Sequence, residues 1–270
     1  MLLGKKTSYP QQYDKSVLYS VKRDDKRKDI NYTKDIQGID IWTCYETSCL
    51  DYNGKPCSFI GILSYTSNSE FIIESKSLKL YLNSFNMTKT SKEEFEDFVR
   101  KDLSECLNCE VNFFLYDLKY FNNKFPISNL KSKNIDDIEC TISQYTVNSN
   151  ILKHDNTKNT LFIHSNLLRS NCLVTGQPDW STIEIFIEGE VPTEKSLLEY
   201  IISFRNHQEF HEQCIERIIS TLLNIFKIDT CFVRGNYVRR GGIDINPFRC
   251  YNMDINNFNN FKKLNRLVRQ

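Results

Sequence analysis

Ile39, Ile41, Thr43 and Tyr45 alternate with their neighbours along the chain, the period-two pattern of a half-buried strand. Comparable runs predict strands at Phe59 to Tyr65, Phe71 to Ile73, Val111 to Leu118, Cys140 to Val147, Leu161 to His164, Ile183 to Ile187 and Thr230 to Val238. Asp51 to Pro56 and Thr66 to Ser69 read as turns between them. A helical spacing takes over at Phe95, Phe98, Val99, Leu103 and Leu107, with Ser91 and Glu94 placed as a capping box. Pro192, Thr193 and Glu194 open a helical stretch through Phe204. Phe210, Cys214, Ile218, Leu222 and Phe226 then fall on one face of a longer helix. Residues 1–36 are polar, and the mixed-charge run Lys22–Asp29 reads as a solvated loop. Residues 119–137 read as a linker, and the chain after Arg239-Arg240-Gly241-Gly242 as a loop. The basic tail, Asn256 to Gln270, carries a short apolar face of Leu264, Leu267 and Val268 and is expected on the surface.

One pattern occurs twice. Ser77-Leu78-x-x-Tyr81-x-x-Ser84-Phe85 returns as Ser196-Leu197-x-x-Tyr200-x-x-Ser203-Phe204. Each copy precedes a helix that begins near a Glu-Phe pair, Glu94-Phe95 or Glu209-Phe210, and each helix precedes an aromatic-containing strand. Self-similarity of this kind points to a duplicated α+β module. The expected organisation is one module over 1–130 and a second over 131–270, facing each other across a site that both can build.

Composition narrows the class. The 270 residues, 40% apolar and 13% aromatic, can bury a sizeable core. A net charge of +1 gives no overall reason to expect nucleic acid or a membrane surface as partner. No segment approaches the ~18 apolar residues of a membrane-spanning helix, and Met1–Lys6 lacks the apolar run of a signal peptide. Ten cysteines in such a chain point to reduced thiols in a cytoplasm. Cys106 and Cys109 form one CxxC pair without the second pair that a structural zinc site needs.

Two constellations carry candidate chemistry. Cys172 lies in a turn-prone run after a strand, and Asp179 follows seven residues later between Pro178 and Trp180. Pro178 fixes its own backbone and restricts Gln177. A cysteine nucleophile needs a partner that takes its proton and later returns one, and a carboxylate on a stiff loop can do both. The second constellation is Asn206-His207-Gln208-Glu209-Phe210-His211-Glu212-Gln213-Cys214 at a helix start. An ionised Glu212 could accept from the ring N–H and exocyclic amine of a guanine-like edge. Equally, Glu209 and Glu212 could be first-turn carboxylates favoured by the helix dipole. His207, His211 and Cys214 also share a helical face, a usable zinc set though not the HExxH pattern.

Four segments, in order, resemble one family: Glu74 to Asn86, Ser170 to Trp180, Asn206 to Arg217 and Arg239 to Arg249, with the opening Leu3-Gly4-Lys5. The chain is similar to the NADPH-dependent 7-cyano-7-deazaguanine reductases, the nitrile reductases of queuosine biosynthesis, in their long two-module subgroup. The resemblance implies tandem tunnelling-fold modules, with antiparallel sheets and helices on one face. It implies Cys172 as nucleophile and Asp179 as proton donor. Ile73, Glu74, Ser75, His211 and Glu212 would bind the 7-cyano-7-deazaguanine, and Ser75, Lys76, Arg240 and Gly241 would bind NADPH. It also implies a homodimer and no metal.

The residue types suit that chemistry independently. Thiolate addition converts a poorly electrophilic nitrile into a thioimide, whose carbon accepts hydride more readily. Loss of the thiol and a second hydride give the amine, a four-electron change. No GxGxxG follows a strand, so a Rossmann cofactor site is not expected. A zinc-dependent purine or pterin hydrolase using His207, His211 and Cys214, and a non-catalytic purine-binding module, are the alternatives.

Overall fold

The computed structural model describes residues 9–33, 35–253 and 266–270; the opening Leu3-Gly4-Lys5 and Leu264 lie outside them. The first half runs β1 (Ser20–Lys22), α1 (Asp24–Arg27), β2 (Ile36–Leu50), β3 (Pro56–Thr66), β4 (Phe71–Ile73), α2 (Ser75–Ser84), α3 (Lys92–Leu107), β5 (Val111–Asp117) and α4 (Leu118–Lys124). The second runs β6 (Lys133–Asn134), β7 (His154–Asp155), β8 (Thr160–Asn171), β9 (Pro178–Gly189), β10 (Val191–Pro192), α5 (Glu194–Ser203), α6 (His211–Ile225), β11 (Ile228–Tyr237) and β12 (Ile243–Tyr251). Eight strands among the described residues form one sheet, ordered β5-β3-β2-β12-β11-β9-β8-β6. Every neighbouring pair is antiparallel except β6 with β8.

The repeat is reproduced in several of its local contacts. Ser84 Oγ donates to Tyr81 O and Ser203 Oγ to Tyr200 O, both at 2.6 Å. The rings of Tyr81 and Phe85, and of Tyr200 and Phe204, meet edge-on at the same 5.4 Å and 86°. Ser77 and Ser196 each tie the first turn of their helix to an incoming segment, through Tyr19 and Lys153. Even the short pairs match: β4 before α2 pairs with β1, and β10 before α5 pairs with β7.

Two helix-covered cores follow from this. Trp42, Leu63, Leu78, Phe85, Phe95 and Phe113 anchor the first. In the second, α6 buries Cys214, Ile215, Ile218, Ile219 and Leu222 completely against the sheet. Each such large apolar side chain contributes about 1.5–3 kcal/mol relative to exposure. The capping box forms as expected: Ser91 Oγ accepts from Glu94 N–H at 3.1 Å and Glu94 accepts from Ser91 N–H at 2.9 Å. The helices are not all on one face, because α4 packs Phe121 on the other side, against Ile41 and Ile60.

Several expectations need correction. The supposed linker holds α4 and β6, and it buries Phe121 and Ile135. Cys140 to Val147 forms no strand; its alternation serves to pack Cys140 and Val147 on the second core. The loop expected after Gly242 is β12, the strand that joins the halves by pairing with β2 on one side and β11 on the other. Pro247 hides it, having no N–H to give to a ladder. Pairing with β11 stops at Arg234–Phe248, one step before it. Beyond that point the Gln270 side chain bridges the strands, accepting from Asn236 Nδ2 at 3.2 Å and donating to Tyr237 O at 3.2 Å and Asn246 Oδ1 at 2.5 Å. The tail therefore ends buried at Leu267 and Gln270, with Val268 exposed.

The mixed-charge run is the largest departure. Lys22 and α1 are local structure, and Arg23 is 1% exposed. Its guanidinium donates to Asp40 at 2.5 Å and approaches Glu216 at 3.4 Å. Arg249, fully buried, donates to the same two carboxylates at 2.7 and 2.9 Å. Burial opposes the charge on Asp40 and Glu216, yet Arg249 with Arg23 holds both below the ordinary carboxylate range. Their stabilisation is thus present at neutral pH and lost as the pH falls through those lowered values. Arg249→Ala takes one cation from each of two buried anions, leaving Asp40 to Arg23 and Glu216 to Arg27 and Arg23, and is expected to cost up to about 3–5 kcal/mol, read from urea unfolding; a change under about 1 kcal/mol would show that the network contributes little.

Candidate active site

The β8–β9 hairpin ends on the pair Asn171–Pro178. Residues 172–177 close it, with Cys172 N–H donating to Gln177 O at 2.8 Å and Gly176 N–H to Cys172 O at 2.9 Å. Gly176 takes φ +67°, which a side chain would resist. Asn171 N–H is tied to His207 O at 2.8 Å, fixing the hairpin against the approach to α6. Cys172 is thus presented half-buried at a defined point. Burial alone would push its thiol up; hydrogen bonds from the Thr175 side chain and backbone, from Val174 and from Arg240 outweigh it and hold it below the ordinary value. The shift enriches the thiolate, the nucleophilic form.

Asp179, on β9, is 3% exposed. Arg240 Nη1 donates to its Oδ1, and His211 Nε2 lies 3.2 Å from its Oδ2. Burial works against the charge, but His211 and then Arg240 outweigh it, so the carboxyl sits below its usual range. Asp179 is therefore an anion at neutral pH, able to accept a proton. His211 begins α6 and its ring lies flat on Tyr237, with centroids 3.9 Å apart and planes at 8°.

Glu212 follows, 1% exposed, and its Oε1 has no hydrogen-bond partner among the described residues. Burial, then the charge of Asp40, pushes its carboxyl up to about 8. Such a buried, unpaired acceptor is costly unless a ligand meets it. Glu209 differs: it is gripped by Arg217 through Nε at 3.0 Å and by His207 at 2.8 Å. Of the two carboxylates left open in sequence, both line the cleft, but Glu209 is held in an ion pair with Arg217 whereas Glu212 keeps an oxygen without a partner among the described residues.

The facing wall comes from the first half. Ile73 ends β4, and Glu74 caps α2, accepting from Lys76 N–H at 2.9 Å and Ser77 N–H at 2.7 Å. These residues, with Ser75, Lys79 and Trp42, close a cleft onto Cys172, Asp179, Glu209, Phe210, His211, Glu212 and Arg240. Both halves of the duplication therefore build one site.

Residues 9–115 match the family described as nitrile reductase, 7-cyano-7-deazaguanine-reductase N-term, and residues 178–255 match that described as QueF-like protein. The chain is 42% identical over 252 residues to the NADPH-dependent 7-cyano-7-deazaguanine reductase of Desulfotalea psychrophila, covering 92% of this chain and 91% of that one. Proteins of the same name from two strains of Rickettsia bellii match to the same extent. The chain belongs to the 7-cyano-7-deazaguanine reductase family. The α+β architecture above is that family's tandem tunnelling fold.

Eight of the ten residues that sequence singled out for this reductase site line the one cleft: Ile73, Glu74, Ser75, Cys172, Asp179, His211, Glu212 and Arg240. Lys76 and Gly241 do not. Lys76 stands exposed on α2. Gly241 lines a neighbouring open cavity, together with Asn83, Asn86 and Gly242. Lys79 lines both spaces and was not expected. Its signal was available: it follows Ser75 by four residues, hence on the same face of α2. Trp42 and Tyr237 had no such signal, since only strand pairing places them under the cleft.

The zinc set His207, His211 and Cys214 is not assembled. His207 sits with Glu209 and Cys214, within 4.8 Å of one another, while His211 is turned to Asp179. Glu209 is already neutralised by Arg217, and burial pushes the Cys214 thiol up, away from the thiolate a metal requires.

Proposed function

We propose that this chain reduces the nitrile of 7-cyano-7-deazaguanine to the aminomethyl group, in queuosine biosynthesis, using NADPH. The observation that carries the reading is the cleft itself, which is lined by an activated thiol, an ionised aspartate and a buried carboxyl group with one oxygen left unpartnered among the described residues. Glu212, with His211, would take the ring N–H and amine of the base, while Ile73, Glu74 and Ser75 face it from the opposite wall. Cys172 Sγ then adds to the nitrile carbon to form a thioimide. Asp179 takes the thiol proton and returns it to the nitrile nitrogen, which becomes far more basic once the carbon is substituted. Its lowered pKa keeps it an anion before the reaction and favours the return of the proton, since His211 and Arg240 stabilise the anion that is left.

The residues beside the cleft fit the dinucleotide. Lys79 and Arg240 supply two cations for phosphates. Gly241, at φ +55°, leaves its backbone open where a Cβ would meet the Lys79 side chain at 3.2 Å. Ser75, Lys76, Arg240 and Gly241, joined by Lys79, would hold NADPH, which when bound supplies the hydrides to the substrate carbon. We further propose a catalytic half over 131–270 completed by 1–130, a cytoplasmic setting and a homodimer, the last checked by sedimentation.

The deciding experiment titrates the protein with 7-cyano-7-deazaguanine, following thioimide absorbance, and then adds NADPH. A stoichiometric adduct that decays to amine is expected. Binding without an adduct would leave a purine-binding module and remove the reductase reading.

A further inference from the structure

Glu212 and Glu216 lie one turn apart on α6, both 1% exposed. Glu212 faces the cleft. Glu216 accepts from Arg27 Nε at 2.9 Å and Nη2 at 2.7 Å, and from Arg249 Nε at 3.1 Å and Nη2 at 2.9 Å, with Arg23 at 3.4 Å. Asp40 on β2 accepts from Arg23 and Arg249. Three guanidinium groups thus face two carboxylates, and the cluster holds one cation more than anion. Glu212, one turn along, is placed to complete the balance when it ionises. The elements involved are the segment before β2, β2 itself, α6 and β12, so the cluster also locks the two halves together behind the base site.

We infer that Arg23, Arg27 and Arg249 are positioning residues for base recognition: braced by Asp40 and Glu216, they anchor α6 one turn beyond Glu212 and set an excess of positive charge behind the carboxyl that meets the base. The inference rests on the reading of Glu212 as the acceptor of the base edge. Other groups also face Glu212: Tyr65 from β3, Tyr237 from β11, and Asp40 and the arginines already named. Glu74, Lys79, Cys172, Asp179, Glu209, His211 and Arg240 are the other titratable groups that line the cleft. Arg23 and Arg249 draw Glu212 toward ionisation, whereas burial and Asp40 oppose it. A protonated Glu212 cannot accept two hydrogen bonds from a guanine-like edge without losing its proton. Base affinity should therefore rise with pH as Glu212 ionises, and network charges should move the midpoint of that rise in opposite directions.

The test measures the dissociation constant of 7-cyano-7-deazaguanine from pH 6 to 10 in a full-length Cys172→Ala background, where no adduct forms. Arg23→Gln should move the midpoint up and weaken binding at pH 7, roughly tenfold per pH unit moved. Asp40→Asn should move it down and tighten binding at pH 7, although both changes loosen the same cluster. A purely structural role cannot give opposite signs. Arg23→Lys should restore the wild-type midpoint. If Arg23→Gln does not fold, Arg27→Gln, whose side chain reaches the surface, should show a smaller upward shift. Midpoints that stay put, or move together, would overturn the inference. Glu212→Gln separates the two levels. Unchanged affinity in that variant would remove the base reading itself. A flattened profile there, with unmoved midpoints in the network variants, would remove only the role of the arginines.

Discussion

Cys172→Ala is expected to end turnover, with a loss of more than about 10⁴-fold, the scale seen when a nucleophile is removed. The thiol is the one nucleophile held below its ordinary pKa in the cleft; Cys44 and Cys214 nearby are buried and pushed up. A nitrile carbon presents too little positive character to take hydride unaided, so the loss falls on chemistry and not on binding. Cys172 is half exposed on a hairpin loop, and its truncation leaves the cores untouched, so stability should change by less than about 0.5 kcal/mol. Intact-mass spectrometry of the wild type with substrate should show one ligand increment, absent from the variant. Amine production by the variant at even a hundredth of the wild-type rate would mean that reduction does not pass through sulfur.

Much of this site was legible in the chain because its parts are local. Cys172 and Asp179 belong to one hairpin, and His211 and Glu212 to one helix turn, so turn chemistry and helical spacing place each pair. The duplicated Ser-Leu-Tyr-Ser-Phe pattern likewise gave the two-fold plan, since the same side-chain-to-backbone bonds recur in both copies. What stayed hidden depends on long-range pairing. β12 carries Pro247 and follows two glycines, local signs of a loop, yet its neighbours on both sides make it central. Arg23 sits in a run of eight charged residues, where solvation is the ordinary outcome; Asp40, Glu216 and Ser69, all distant in sequence, make its burial affordable. Cys140 to Val147 shows the opposite error, an alternating pattern whose apolar positions pack on the second core with no strand to pair with. Lys79 was within reach, because the face of α2 that bears Ser75 bears it too.

Asp179→Asn should slow adduct formation by about 10²–10⁴-fold, the usual range for a positioned acid–base group. Asparagine keeps the shape of the side chain and can still accept from Arg240, but it cannot take the thiol proton. It also leaves Arg240 without its anion, and that freed cation beside Cys172 should lower the thiol further. More thiolate with a slower reaction would separate proton transfer from nucleophile activation, two roles that a loss of rate alone would merge. The pH profile carries the same distinction. In the wild type, Asp179 lies below the ordinary carboxylate range, so adduct formation should stay intact down to weakly acidic pH and fail only as that anion is protonated. In Asp179→Asn this acid limb should vanish, leaving only the rise through the thiol. Stopped-flow absorbance of the thioimide across pH reads both quantities. A variant that forms adduct at the wild-type rate would show that water or His211 serves as the proton carrier and that Asp179 only holds Arg240 in place.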